Sequence, residues 1–347
     1  MIPPPDASPC YILGLESSCD ETAAAVVADG RRIMSNIISS QIELHARYGG
    51  VVPEIASRRH LEQINLIIGE ALSEAGLTLK ELHAIAVSSG PGLVGALLIG
   101  VSTAKALAYA ARLPLIAVNH VEAHLYANHL TGAGIRYPLI ALIASGGHTA
   151  LLLMPEPEQI VSLGQTRDDA AGETFDKVAR AMGLGYPGGP QIDRLASSGR
   201  PDAVDFPRAY LDEKARFDFS FSGLKSAVIN HLHHLRQKKE ELSLADLAAS
   251  FQEALVRVLV DKTVAAAKEH HAACVLLAGG VAANSRLRTL LRSELAQALP
   301  AVPLYFPPPL LCTDNAAMIA AAAFPRYRCG LYAPLDLNAS ASLTPGC

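Results

Sequence analysis

The chain has 347 residues, half of them hydrophobic, with few aromatics and no tryptophan, which is an Ala/Leu/Val-rich α/β composition of about two domains. A formal net charge of −4 excludes a polyanion binder acting through overall charge, so any nucleic-acid contact must use local patches or partner subunits. The six cysteines, Cys10, Cys19, Cys274, Cys312, Cys329 and Cys347, form no C-x-x-C pair, which fits free thiols in a reducing, cytoplasmic setting better than a disulfide scaffold.

Met1 to Pro9 is Pro-rich and lacks the charged-then-apolar order of a signal peptide, and no run of about 18 uncharged apolar residues predicts a membrane span. Tyr11–Leu15 reads as a strand, Glu16–Thr22 as its turn and Ala23–Val27 as the returning strand. In that turn Ser17, Ser18 and Thr22 can donate to phosphate oxygens, while Asp20 and Glu21 could orient a cation or water. Ser/Asp-rich turns are also common without a ligand. Residues 40–60 read as a loop with Gly49-Gly50 and Pro53, then a helix to about Ala75. Arg47, Arg58, Arg59 and His60 form a local basic cluster there, or simply a solvated helix end. Ile85–Ser88 is a strand, and Ser89-Gly-Pro-Gly-Leu-Val-Gly95 opens a helix over Ala96–Ala110. Its glycines allow close backbone approach and the helix N-terminus favours an anion, although no Gly-Lys-Ser/Thr closes a Walker loop.

Pro114–Val118 is a strand, followed by the helical stretch V-N-H-V-E-A-H-L-Y-A-N-H. His120 and His124 stand at i and i+4, so both imidazoles can reach one metal ion; two ordinary helix-surface histidines would give the same spacing. The peptidase pattern H-E-x-x-H is absent, because Val121 follows His120 and Glu122 points about 200° round the helix. Leu139–Ala144, Ser145-Gly-Gly-His-Thr149 and Ala150–Met154 repeat strand, small turn, strand, which suggests two related halves. The Ser-Gly-Gly turn leaves N–H groups to hold an anion or an acyl oxygen.

Residues 165–182 run into a helix lined by Asp168, Asp169, Glu173 and Asp176. Tyr186–Asp193 is a Gly/Pro turn entering a helix with Asp193 on its first turn. Phe217–Lys225 alternates aromatic and polar residues and ends in Lys225 at a helix start, and the tract from His231 to Glu240 reads as a solvated helix end. Cys274–Ala278 is a buried-type strand, turned by Gly279-Gly280 into a helix from Ser285 with Asn284 at its start, a nucleotide-cradling arrangement. Leu304–Pro309 is extended. Asp314 precedes an Ala-rich helix, Ala316–Phe324, either as a cap or as a third, hard-oxygen ligand beside His120 and His124.

Gly-rich and Asp-bearing turns in two similar halves resemble the actin, hexokinase and Hsp70 superfamily: an α/β fold of two related α/β domains with a nucleotide cleft. The expected division is a flexible extension over 1–10, domains over 11–138 and 139–325, and a tail over 326–347 that packs back on the first domain or is flexible. The motifs G-L-E-S-S-C-D-E-T, L-H-A-R-Y-G-G-V-V-P-E-I-A-S-R, G-P-G-L-V-G, N-H-V-E-A-H, S-G-G-H-T, A-A-G-E-T-F-D-K-V-A-R, Y-P-G-G-P, F-S-F-S-G-L-K, A-G-G-V-A-A-N and T-D-N-A-A-M-I-A resemble, in family order from about Ile12 to Ala323, the tRNA N6-adenosine threonylcarbamoyltransferase family.

This resemblance implies a metal-assisted transfer of threonylcarbamoyl from threonylcarbamoyl-AMP to N6 of the adenosine just 3′ of the anticodon, in tRNAs reading codons that begin with A. It implies His120, His124 and Asp314 as ligands of one divalent metal ion per subunit, Fe2+ ahead of Zn2+. It implies Ile143, Ala144, Ser145, Gly146 and Gly147 as substrate-binding and Asp176, Gly189, Asp193 and Asn284 as adenylate-binding. Gly279, Gly280, Glu16, Ser17 and Glu173 are secondary candidates. Ile143 and Ala144 occupy the place of a Tyr ligand in the archaeal and eukaryotic branch, and S-G-G-H-T points to the bacterial one. There the implied partners are tRNA, a shorter degenerate paralogue as heterodimer partner and a small P-loop ATPase. Arg58, Arg59 and Lys225 are expected at a local tRNA surface. The competing readings are a small-metabolite kinase of the same superfamily, which would need no His pair, a metallopeptidase, which position 121 argues against, and a pure scaffold.

Overall fold

The computed structural model describes residues 9–157, 159–210, 216–238 and 243–346. Residues 1–8 of the expected extension, Lys239 and Glu240 of the His231 tract, and Cys347 lie outside the described residues. Among the described residues the strands form two five-stranded sheets. β1 (Tyr11–Glu16), β2 (Glu21–Ala28), β3 (Arg32–Ser40), β4 (Ala84–Gly90) and β5 (Leu115–Asn119) make the first, in the order β3-β2-β1-β4-β5. β6 (Leu139–Ala144), β7 (Thr149–Met154), β8 (Val161–Gln165), β9 (Cys274–Ala278) and β10 (Leu304–Tyr305) make the second, in the order β8-β7-β6-β9-β10. In each sheet three strands run as an antiparallel meander and the first of them continues into two parallel strands. The two halves therefore share strand order and direction, as the repeated hairpin predicts.

The edge strands β3 and β8 carry no expectation from the sequence. Both are mixed in polarity and only partly buried, so neither has the apolar run that marks β1, β6 or β9. α1 (Ile42–Ala46) and α2 (Pro53–Ala75) follow β3. α2 starts on a proline, whose missing N–H is no loss in a first turn, and ends on left-handed Gly76. α2 and α3 (Val94–Ala111) cover one face of the first sheet through Ile64, Ile68, Val101 and Ala104. By length and composition α3 could cross a membrane, yet its Lys105 ammonium donates to Leu337 O and Ala96, Leu97, Val101 and Ala104 are buried in the fold.

α4 (His120–Tyr126) lies between the halves. Ala123 packs with the first sheet and with α11 (Ala316–Arg328), while Val121 and Leu125 pack against β6, β7 and β9. The alanines of α11 pack on the first sheet beside Ile12, Ala23 and Ala86. On the second sheet, α5 (Ala171–Met182), α6 (Gly188–Ala196), α7 (Ser222–Lys238), α8 (Leu244–Glu269) and α9 (Ser285–Ala298) build one large core around Phe175, Phe219, Phe221 and Phe251. The short α10 (Pro309–Cys312) precedes the loop that carries Asp314.

Candidate metal and nucleotide site

His120 and His124 sit one helical turn apart, as i and i+4 require, and both are buried. The loop entering α11 brings Asp314 against them: its Oδ1 lies 3.5 Å from His120 Nε2 and 3.4 Å from His124 Nε2. One ligand atom from each of the three residues falls within 4.8 Å of the others. Asp314 is not the helix cap. Asn315 caps α11, its side-chain oxygen accepting from the Met318 N–H at 3.1 Å.

Glu16, at the end of β1, accepts at Oε2 from His120 Nδ1 at 2.9 Å, which leaves Nε2 facing Asp314. Burial alone would lower the His120 pKa, but Glu16 and Asp314 beside it raise it to about 9. Burial also opposes the charge of Asp314, yet His120 and His124 hold its carboxyl well below the usual range. His124 Nδ1 is buried without a hydrogen-bond partner, and its buried Nε2 has only the Asp314 carboxylate beside it. Two imidazoles and one carboxylate, with both Nε2 atoms turned toward one carboxylate oxygen, fit a borderline divalent ion such as Fe2+ or Zn2+. His148 closes the Ser-Gly-Gly turn, and its ring lies 6.3 Å from that of His120. Burial, reinforced by His120 and His124, lowers its pKa to about 4.

The substrate-turn residues separate into two kinds. Ile143 and Ala144 are fully buried inside β6. Gly146 and Gly147 are exposed, and the turn is braced by the Ser145 N–H donating to His148 O at 2.8 Å and the His148 N–H donating to Ser145 Oγ at 3.2 Å. Among the residues expected to hold the adenylate, Asp176 Oδ1 accepts from the Gly188 N–H at 2.6 Å, next to Gly189 at the start of α6. Asp193 accepts from the Ser285 N–H at 3.1 Å and its hydroxyl at 2.8 Å. Asn284 caps α9 through the Leu287 N–H and donates to Gln252 Oε1 at 2.8 Å. α6 and the start of α9 thus meet through Asp193 and Ser285. Burial, with Asp20 of the first hairpin adding repulsion, raises the Asp176 pKa.

Several expectations are corrected. The hydroxyls read as phosphate donors serve protein partners: Ser17 donates to Ala96 O at 3.0 Å, Ser18 meets His120 Nδ1 at 3.1 Å and Thr22 meets His60 Nδ1 at 2.8 Å. His60 is buried and so leaves the basic cluster. The Gly-Pro-Gly loop spends the Leu93 N–H on Ser18 O and the Gly92 N–H on Ala341 O rather than on an anion. Asp193 lies on the second turn of α6, not the first. Asp168 and Asp169 precede α5: Asp168 gathers Ser220 and Ser222, and Asp169 pairs with Lys177 and Lys225. Glu173 is a surface partner of Lys177 at 2.9 Å. Of the expected tRNA contacts, Arg59 is paired with Glu62 and Lys225 with Asp169, while Arg58 is exposed with no ion-pair partner among the described residues. The Glu16–His120 contact was missed because Glu16 read as a substrate group; a carboxylate at a strand end was the available signal.

Two sheets of one topology, with a histidine pair at their junction and glycine turns at the strand ends, define a protein of the actin/hexokinase/Hsp70-like class. Full-length HypF in its phosphate- and nucleotide-bound form is similar to this chain at a TM-score of 0.62 and 15% identity, over 93% of this chain and 56% of that one. Component A of (R)-2-hydroxyglutaryl-CoA dehydratase from Acidaminococcus fermentans is similar at a TM-score of 0.54 and 13% identity, over 92% of this chain and 99% of that one. These likenesses show the fold. The family model of TsaD, tRNA N6-adenosine threonylcarbamoyltransferase, matches residues 32–321. Proteins of that name from Geobacillus kaustophilus and Bacillus subtilis are 59% and 56% identical over 333 residues, covering 96% of this chain and 96% and 95% of theirs. The chain belongs to the tRNA N6-adenosine threonylcarbamoyltransferase family, and it is an acyltransferase that places threonylcarbamoyl on N6 of a tRNA adenosine.

Proposed function

We propose that the donor is threonylcarbamoyl-AMP, that the acceptor is the adenosine just 3′ of the anticodon in tRNAs reading codons that begin with A, and that AMP leaves. The observation that carries the chemistry is the His120–His124–Asp314 set, its histidines buried, beside the exposed turn that His148 closes. In this reading His120 Nε2, His124 and Asp314 hold one divalent ion, iron before zinc. When bound, the ion supplies Lewis acidity toward the acyl carbonyl. The N–H groups of Gly146 and Gly147 hold the threonylcarbamoyl moiety. Gly279, Gly280, Asn284 and Asp193 take the adenine and ribose, with Asp176 and Gly189 beside them.

The N6 amine is a poor nucleophile, so most of the rate comes from positioning and carbonyl polarisation. No side-chain nucleophile enters. Burial raises the thiol pKa of both Cys19 and Cys312, which keeps them protonated and unreactive. The experiment is single-turnover transfer followed by intact-mass spectrometry. Cys19→Ala and Cys312→Ala should each keep most of their activity, and no threonylcarbamoyl-enzyme should appear. An adduct that forms and decays at the rate of product formation would replace direct transfer with a covalent route.

The same reading extends to partners and setting. A degenerate paralogue as heterodimer partner would find exposed apolar side chains on α2 and α3, Leu61, Leu66, Val94, Leu98 and Tyr109. Leu98→Glu should then weaken association in sedimentation velocity while leaving the melting curve in place; unchanged association would remove this surface from the interface. A small P-loop ATPase completes the set. A cytoplasmic setting agrees with Cys10, Cys19, Cys274 and Cys312, none of which is in a disulfide. Arg58 is the expected tRNA contact that this reading keeps.

A further inference from the structure

The N-H-V-E-A-H stretch holds two polar residues that the metal reading leaves over, Asn119 and Glu122. Both are buried. Asn119 caps α4, its Oδ1 accepting from the N–H groups of Val121 at 2.9 Å and Glu122 at 3.2 Å, while its Nδ2 donates to Leu343 O at 3.3 Å. Glu122 accepts at Oε1 from the Gly346 N–H at 2.7 Å and at Oε2 from Arg326 Nη2 at 3.0 Å. Both residues therefore tie the histidine helix to the C-terminal segment.

That segment is itself fixed along the first half. The Ala333 N–H donates to Leu115 O at 2.8 Å, Lys105 to Leu337 O at 3.1 Å, the Ser340 N–H to Ser89 O at 2.8 Å and the Gly92 N–H to Ala341 O at 3.3 Å. Its passage needs a glycine at Gly90, where φ is +152° and an added Cβ would stand 2.2 Å from Ser340 O. The Gly-Pro-Gly loop thus admits this segment.

α4 has seven residues, well below the length at which a helix holds itself in water. Ligand side chains must sit within about 0.5 Å of productive geometry, so whatever fixes the axis of α4 decides whether His120 and His124 converge. We propose that Asn119 and Glu122 are positioning residues for metal binding, and that residues 333–346 form a strap that holds α4 through them. The proposal rests on the metal reading above.

The test titrates metal-free full-length protein with Co2+, read by its visible absorption, alongside amide exchange of residues 119–126 without metal. Glu122→Ala removes both ties of the carboxylate. Glu122→Gln keeps an acceptor for Gly346. Asn119→Asp keeps the cap and replaces the donor to Leu343 O with a second, charged acceptor, so the tie is lost. Co2+ affinity should fall about 10- to 100-fold in Glu122→Ala and by a similar order in Asn119→Asp, with a changed absorption band, and recover most of the way in Glu122→Gln. Exchange over α4 should quicken in the first two. If Glu122→Ala does not fold, Asn119→Asp decides. Wild-type affinity, band shape and exchange in the variants overturn the positioning role alone, whereas no Co2+ uptake by the wild type overturns the metal reading and this role together.

Discussion

Alanine at His120, His124 or Asp314 should strip the divalent ion and lower threonylcarbamoyl transfer in parallel, by about 10^3-fold in kcat/KM, the scale of removing a main electrostatic stabiliser of a developing oxyanion. The three residues are expected to act as one unit, so pairs of substitutions should cost little more than single ones. The alternative for Asp314, a helix cap, is taken by Asn315, which bonds the Met318 N–H. Asp314→Ala should therefore leave the helicity of α11 intact. His124 supplies a second readout. Its Nδ1 is buried and unpartnered, and such a group carries a desolvation penalty of about 1–3 kcal/mol when nothing binds it, while its Nε2 lies 3.4 Å from Asp314 Oδ1. His124→Leu removes that penalty together with the Asp314 contact, so the metal-free protein should melt near the wild type, while metal-dependent stabilisation is abolished. Elemental assay per chain, thermal melts with and without added metal, and transfer to tRNA check all three statements. Full metal loading in Asp314→Ala, or full transfer by rigorously metal-free protein, would refute the site.

The histidine pair was legible because helical spacing alone places both rings on one face. Asp314 was legible only as a carboxylate ahead of an Ala-rich helix. What delivers it to the pair is the packing of that helix on the first sheet, a tertiary fact that no local pattern encodes. The central strands were plain because fully buried strands read as apolar runs, whereas β3 and β8, mixed and half-exposed at the sheet edges, do not. The first hairpin was misread for a different reason. Ser17, Ser18 and Thr22 are hydrogen-bonding groups in a turn, and a phosphate oxygen and a protein acceptor look alike from the sequence. Their partners stand 79, 102 and 38 residues away. The same ambiguity covers the Gly-Pro-Gly loop, whose N–H groups go to Ser18 and Ala341. Asn119 and Glu122 were in plain view inside the motif, but their role depends on a segment more than two hundred residues downstream.

Gly279→Ala should destabilise the protein by about 4 kcal/mol and also slow transfer in the molecules that remain folded. The residue has φ +88° and ψ 167°, a conformation that only glycine adopts readily and that costs other residues about 1–3 kcal/mol. An added Cβ would stand 2.4 Å from Ala144 O and 2.8 Å from its carbonyl carbon, both backbone atoms of a central strand that cannot swing aside. That overpacking adds roughly another 1–3 kcal/mol. The functional effect follows from what lies on each side of the contact. Ile143 and Ala278 are paired across β6 and β9, and one residue further on the two chains diverge. Ala144 leads directly into Ser145–Gly147, and Gly279 leads into Gly280–Asn284. The turn proposed to hold the acyl group and the turn proposed to hold the nucleotide therefore touch backbone to backbone. A methyl wedged into it moves the two parts of one donor molecule relative to each other, and about 1 Å of misplacement is enough for roughly 10^2-fold in rate. Gly280→Ala is the control, since no atom lies within 4 Å of its added Cβ and its stability should stay near wild type. Denaturant unfolding separates the stability effect, and single-turnover transfer at a temperature where both variants are folded separates the rate effect. A Gly279→Ala protein that unfolds at the wild-type midpoint, or transfers at the wild-type rate, would show that the two turns are positioned independently.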